Sequence, residues 1–218
     1  MKEGKGNQQQ RWERALAGQP DKFGTEASPA AVRAAKAWKE AGITHVLELG
    51  GGQGRDACYF ASQGFHVTVL DYTESGTAAV REKAAALGLE DRVHAVCHDV
   101  KTPLPFKEAA FDACYSHMLF CMAFTGEELE RLVQRLHRVL RPGGEIVYTV
   151  RHTGDPHYGT GSHHGGNIYE SSGYVVHYFD QAMVQQLTAG YDLHVMDTFE
   201  EGTLPKKLYY VHMRKAST

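Results

Sequence analysis

His45-Val-Leu-Glu-Leu-Gly-Gly-Gly-Gln-Gly54 decides the fold. A short, mostly apolar strand runs without a break into a turn holding four glycines, and a helical pattern follows through Phe60 to a stop at Gly64. A strand that turns directly into a helix is the first half of a β-α-β unit, since parallel neighbours need a helical crossover between them. Glycines at such a turn allow left-handed backbone angles and let main chain approach a ligand closely.

Outward from this stretch, strand and helix alternate. Phe65 to Leu70 is predicted as the second strand, ending at Asp71; a helix through Val80 and Leu87 stops at Gly88; Val93 to Cys97 and Phe111 to Ser116 are the third and fourth strands. Thr125-Gly-Glu-Glu128 fits a capping box, and Leu129, Leu132, Val133, Leu136, Val139 and Leu140 recur behind it at helical spacing. Arg141-Pro-Gly-Gly144 turns into a fifth strand, Glu145 to Val150. After a long irregular stretch, Asp180 caps a short helix ending at Gly190, and Leu193–Phe199 with Lys207–Met213 form an antiparallel pair. Two helices precede all of this, one over Gln8–Ala17 and one opened by Ser28-Pro29 and closed by Gly42. The expected fold class is α/β, a mainly parallel seven-stranded sheet covered on both faces, with a C-terminal antiparallel hairpin and N-terminal helices.

The 218 residues suffice for one well-buried core, and 42% hydrophobic with 22% charged residues is ordinary globular usage. A net charge of −3 argues against a broad basic surface for nucleic acid. No apolar run approaches the ~20 residues needed to span a bilayer, and the N-terminus lacks the apolar core of a secretory signal, so a cytoplasmic protein acting on a small molecule, as monomer or homodimer, is expected. Cys58, Cys97, Cys114 and Cys121 form no Cys-x-x-Cys pair and read as buried reduced thiols.

In open α/β sheets, ligands bind beyond the carboxyl ends of the strands where strand order reverses. The glycine spacing here departs from the dinucleotide fingerprint, whose last glycine would fall on Arg55. Glu48 would sit badly beside a pyrophosphate but suits a ligand bearing an ammonium or sulfonium charge. The stretch Val46–Gly54 resembles the first motif of class I, Rossmann-like S-adenosylmethionine-dependent methyltransferases. Asp71, seventeen residues after Gly54, matches the acidic residue that holds the ribose hydroxyls in that family, Asp99-Val100 matches the adenine-reading position, and Arg141-Pro-Gly-Gly-Glu145 resembles its turn before the fifth strand. The resemblance covers residues 45–150 and implies S-adenosylmethionine as cofactor, held by Glu48, Gly50, Gly52, Gln53, Asp71, Tyr72, Asp99, Val100 and Ser116. The length suits one methyltransferase domain over 1–218, with a helical cap (1–42), a cofactor-binding core (43–150), a C-terminal helix and hairpin (179–218) and, from the loop length and aromatic content of the stretch after the fifth strand, a substrate lid (151–178).

Methyl transfer is a displacement at carbon, so the protein must align the acceptor and, where needed, take its proton. His117, at the end of the fourth strand, lies where the family places the methyl group; His152 and Tyr178 bound the lid. These three are the catalytic candidates. The sequence there lacks the Asn/Asp-Pro-Pro-Tyr/Phe arrangement of base-methylating relatives, a second argument against nucleic acid. Residues 151–177 hold His152, His157, His163, His164 and His177 with Asp155, Tyr158, Tyr169 and Tyr174. Imidazoles and a carboxylate are suitable metal ligands, but none of the histidines shows helical i, i+4 spacing, and no metal is expected. Trp12 and Phe23 are candidates for covering the pocket. The rivals are a cofactor-binding subunit without catalysis and a nicotinamide-dependent oxidoreductase.

Overall fold

The computed structural model describes residues 3–202 and 205–216. In chain order the elements are α1 (Glu3–Gly18), α2 (Pro29–Glu40), β1 (His45–Leu49), α3 (Arg55–Ser62), β2 (His66–Asp71), α4 (Glu74–Ala86), β3 (Val93–Cys97) and β4 (Phe111–His117). They continue with α5 (Gly126–Val139), β5 (Leu140–Arg151), β6 (Ser162–His163), β7 (Ile168–Ser171), β8 (Tyr174–His177), α6 (Gln181–Gln186), β9 (Tyr191–Glu201) and β10 (Lys206–Lys215).

Seven strands form one sheet in the order β3-β2-β1-β4-β5-β10-β9. β1 lies parallel to both β2 and β4, β4 parallel to β5, and β10 antiparallel to β5 and β9. This is the doubly wound, Rossmann-like arrangement with an antiparallel hairpin at one edge, and the strand order reverses between β1 and β4. Among the described residues no helix is long and apolar enough to cross a membrane.

The sheet separates two apolar clusters, as the period of two along each strand requires. On one face Val46, Val69, Ala113, Tyr115 and Val147 meet α2, α3 and α4 through Trp38, Phe60 and Val80. On the other, Leu47, Leu49, Cys114, Ile146 and Tyr148 meet α5 through Leu129, Leu132 and Leu136. Full burial of one such side chain is worth roughly 1.5–3 kcal/mol. α5 begins with the expected capping box, in which Thr125 Oγ1 accepts the Glu128 N–H and Glu128 accepts the Thr125 N–H.

Some expectations change. The fifth strand starts at Leu140, and the Arg141–Gly144 turn becomes a bulge where pairing with β4 slips between Phe111 and Ala113. α6 ends at Gln186, short of Gly190. Cys97 is exposed, while the other three cysteines are buried as read. The stretch after β5 is not irregular: β6, β7 and β8 pair into a small antiparallel sheet. Ser172 and Gly173, at φ +52 and +78, make the two-residue turn between β7 and β8, a hairpin signal present in the sequence.

This small sheet is fastened to the main one through Asp155. Its carboxylate accepts from Arg151 Nε at 3.0 Å and Nη2 at 2.5 Å, from the His157 N–H at 2.8 Å and from the Lys207 N–H at 2.9 Å. Burial alone would raise its pKa, but the Arg151 bonds and the two backbone donors prevail and hold it below the usual value. A depressed carboxylate stabilises the fold above its unfolded pKa of about 3.9 and loses that contribution as pH falls through the folded value. Asp155→Asn should therefore lower the thermal midpoint at neutral pH, and the gap from wild type should close as pH is taken below about 4; a gap independent of pH would show that the carboxylate's charge is not what anchors the segment.

Candidate active site

β1 delivers the glycine turn to the point where strand order reverses. The Gly50 N–H donates to Leu70 O at 2.7 Å, which keeps the turn level with the end of β2. Gly50, Gly52 and Gly54 lie at φ +70, +54 and +79, angles that L side chains rarely adopt. At Gly51 the constraint is space, since a Cβ there would stand 2.4 Å from Val69 Cγ1 and 3.4 Å from Glu48 Oε2.

Asp71 ties this turn to α4. Its Oδ2 accepts the Gly52 N–H at 2.9 Å, and its Oδ1 accepts the Thr73 N–H at 2.9 Å and the Thr73 hydroxyl at 2.6 Å. Burial raises its pKa, with these three bonds opposing. Glu48 has no such compensation. It is 3% exposed, and its Oε2 has no hydrogen-bond partner among the described residues. Burial, then the nearby Asp56 charge, push its pKa well above the ordinary carboxylate value, against a lesser pull from Arg55.

Asp56, at the start of α3, is the counter-example. Ser28 donates to it from N–H at 2.8 Å and from Oγ at 2.7 Å, and Arg55 Nε donates at 3.1 Å. Tyr115 OH stands 2.8 Å from Ser28 Oγ, completing a buried knot between α2, α3 and β4. Burial would raise the Asp56 pKa, but the charges of Arg55 and His117 and the Ser28 bonds lower it overall.

The other expected cofactor residues divide. Tyr72 is half-buried beyond β2, and burial followed by the Asp71 and Asp99 charges raises its phenol pKa. Asp99 is exposed beyond β3 and accepts the Lys101 N–H at 2.9 Å, whereas Val100 is buried in the α5-side cluster. Ser116 is buried and donates to Leu49 O at 3.4 Å. Gln53 is differently employed: its amide donates to Leu16 O and Gln19 O and accepts the Lys22 N–H, so its side chain fastens the segment after α1.

α1 lies across the carboxyl end of β2. Glu13 accepts the N–H groups of Glu74 and Ser75 at 2.9 Å each, supplying an external cap to α4, and Gln9 donates to Tyr72 O at 2.7 Å. Phe23, 46% exposed, stands over Gly52, 3.6 Å from where a Cβ would be. Trp12 contacts Phe23 at 6.2 Å and Tyr174 of β8 at 4.7 Å between ring centroids. The two aromatics singled out in the sequence thus join the glycine turn to the small sheet.

The three catalytic candidates do not converge. His117 shares its sheet face with Ala113 and Tyr115 by alternation along β4; its Nδ1 lies 2.9 Å from Thr149 Oγ1 and its Nε2 3.2 Å from Glu201 Oε2. Tyr178 is buried in the cluster on the opposite face, edge-on to Tyr158 and Tyr169 with the Arg151 guanidinium 5.2 Å from its ring. His152 stacks on Tyr209 at 4.5 Å, and its Nδ1 accepts the Gly154 N–H. The remaining histidines of residues 151–177 scatter into separate contacts: His163 on Tyr169, His164 on Glu170, His157 on Asp155, and buried His177 on Phe124 O. Among the described residues no three His, Cys, Asp or Glu side chains come together as a metal site. Glu201 was missed in the sequence because nothing in its local pattern connects the end of β9 with β4.

Comparison with known proteins agrees with this architecture. A family described as "Methyltransferase domain" matches residues 46–144. A sterol 4-C-methyltransferase of Caenorhabditis elegans is 30% identical over 112 residues, covering 51% of this chain and 32% of that protein. A malonyl-[acyl-carrier protein] O-methyltransferase of Enterobacter lignolyticus is 33% identical over 108 residues, covering 50% and 39%. The chain thus spans well under half the length of these curated relatives. Burkholderia thailandensis 1,6-didemethyltoxoflavin-N1-methyltransferase, solved with its substrate and S-adenosylhomocysteine, superposes with a TM-score of 0.76 at 20% identity over 99% of this chain and 90% of that one. Residues 46–144 thus match a methyltransferase domain, and the strand order and the superposition give the chain the Rossmann-like fold.

Proposed function

We propose that this chain transfers the methyl group of S-adenosylmethionine to a small acceptor. The observation that carries this reading is Glu48, a buried carboxylate with one oxygen unpartnered beneath the glycine turn at the switch point of the sheet. An uncompensated buried polar atom costs roughly 1–3 kcal/mol, more if charged, and a cationic ligand group removes that cost. The amino-acid part of the cofactor offers such a group.

The other residues fit the same ligand. Gly50 and Gly52 provide main chain without side chains of their own, flanked by Leu119 and Phe23. A carboxylate has about four lone-pair sites, so Asp71, which already accepts three hydrogen bonds, retains capacity for a ribose hydroxyl. Tyr72, Asp99 and Val100 stand at the ends of β2 and β3 for the adenine, with α1 above them. When bound, the cofactor supplies an electrophilic methyl on a sulfonium.

On the acceptor side, Met118, Leu119, Met122, Tyr158 and Tyr169 are partly buried apolar residues against the α5-side cluster, and His117 stands at the end of β4. An apolar body carrying one nucleophilic atom suits this lining. The net charge of −3 supports a small molecule over nucleic acid. The relatives are named for a sterol and for malonyl-[acyl-carrier protein], so they leave the acceptor to be found by screening.

Calorimetric titration with S-adenosylhomocysteine should show micromolar binding, and NADH should show none; the reverse pattern would return the glycine turn to a nicotinamide site. Because the Glu48 pKa is raised in the free protein, an ammonium group that favours the carboxylate form must expel a proton, and affinity should fall as pH drops through that raised value. Heats measured in buffers of different ionisation enthalpy should reveal proton release in wild type and none in Glu48→Gln. Asp71→Ala should weaken binding by about 1–3 kcal/mol, the cost of losing charged hydrogen bonds; equal affinity would remove Asp71 from the ribose position.

A further inference from the structure

Three elements converge on the His117 ring. In register across from it on β5 stands Thr149, whose Oγ1 lies 2.9 Å from Nδ1 and also accepts the Met118 N–H at 3.1 Å. Thr149 is fully buried, and among the described residues these are its hydroxyl's partners. Having accepted one hydrogen bond, the hydroxyl has its own hydrogen to place, and Nδ1 is within reach. Nδ1 is then the acceptor nitrogen, and Nε2 carries the ring hydrogen toward Glu201.

Glu201 arrives from the far end of β9. Its Oε2 is 3.2 Å from Nε2, off the line of an aligned hydrogen bond and with no other partner among the described residues, so it can close further on the ring. Catalytic contacts are often loose before substrate binds and tighten in the transition state. Arg55 Nη1 lies 3.8 Å from Glu201 Oε1 and donates to Phe23 O, while Arg55 Nε holds Asp56. Burial would raise the Glu201 pKa, but the His117 contact and then Arg55 lower it overall, against the Asp56 charge. It is an ionised carboxylate beside an imidazole at the edge of the glycine turn.

Building on the methyl-transfer reading, we propose that Thr149 and Glu201 are positioning residues that present His117 Nδ1 as the proton acceptor for an N–H or O–H nucleophile. The acceptor atom forms a bond to the methyl carbon, the sulfonium keeps the electron pair of the broken carbon–sulfur bond, and the acceptor's proton passes to Thr149 Oγ1 as the hydroxyl's own hydrogen moves to Nδ1. The Thr149 hydroxyl turns to accept from the new Nδ1–H, and the Glu201 carboxylate faces the imidazolium. The arrangement resembles other sites in which a carboxylate orients an imidazole and stabilises its charged form.

The test needs no acceptor. Ring nitrogen NMR at about pH 8, above the ordinary imidazole range, with the signal assigned by its loss in His117→Asn, should show a pyridine-like Nδ1 and a pyrrole-like Nε2. Thr149→Val should move the Nδ1 shift toward that of an unbonded acceptor, and Glu201→Ala should abolish solvent protection of the Nε2 hydrogen. A pyrrole-like Nδ1, or spectra that neither variant changes, overturns the proposal. S-adenosylhomocysteine should shift the His117 signals and leave those of His45 and His66, at the other end of the sheet, in place. Binding without that shift removes His117 from the transfer point; absence of binding fails the cofactor reading, while the ring assignment is still decided by its own spectra.

Discussion

The hydrogen bond from the Gly52 N–H to Asp71 Oδ2 holds the functional end of the sheet together. It fixes a left-handed residue in the turn after β1 against the last residue of β2, and the other oxygen of the same carboxylate receives Thr73 at the start of α4. One side chain thereby sets the spacing between a glycine turn, a strand end and a helix start. Glycine is needed for the angle, and an acid is needed because a neutral acceptor would not hold three donors as strongly in a buried place.

Around that bond the protein gathers acidic groups and treats each differently. Asp56 is engaged by Ser28 and Arg55 and stays ionised; Asp71 accepts three backbone and hydroxyl donors; Glu48 keeps an oxygen without a partner among the described residues. Residue type alone does not separate them. The difference is the donor count, which leaves Glu48 the one of the three with an uncompensated buried oxygen among the described residues. Asp56 and Asp71 are spent on the scaffold, although Asp71 has lone pairs to spare.

How much of this the sequence carries follows from the range of each interaction. The strands, the switch point, Glu48 and Asp71 are legible because hydrophobic period and turn glycines are local signals. The same locality offered the β7–β8 hairpin through Ser172-Gly173, but the density of histidines and glycines there pointed to an irregular lid. Gln53 lies within the glycine motif, yet its amide is used by Leu16 at the end of α1 and by Gln19 and Lys22 just after it. Glu201 meets His117 only because β10 and β9 append to the sheet beyond β5, a pairing that no local pattern announces. Cys97 illustrates the reverse error: an apolar-looking strand can end in an exposed residue when it lies at the edge of the sheet.

The pleat sets two of the catalytic candidates, His117 and Tyr178, on opposite faces of the sheet. Alternation along β4 puts His117 on the face that holds α3, while Tyr178 belongs to the cluster on the α5 face. A site at the carboxyl edge can draw on both faces, but only through residues that reach around the strand ends. On one side these are His117 with Thr149 and Glu201; on the other they are Met118, Leu119 and the aromatic residues of the small sheet. The sheet edge therefore divides by chemistry, with ionisable groups beside the glycine turn and apolar surface beside the small sheet.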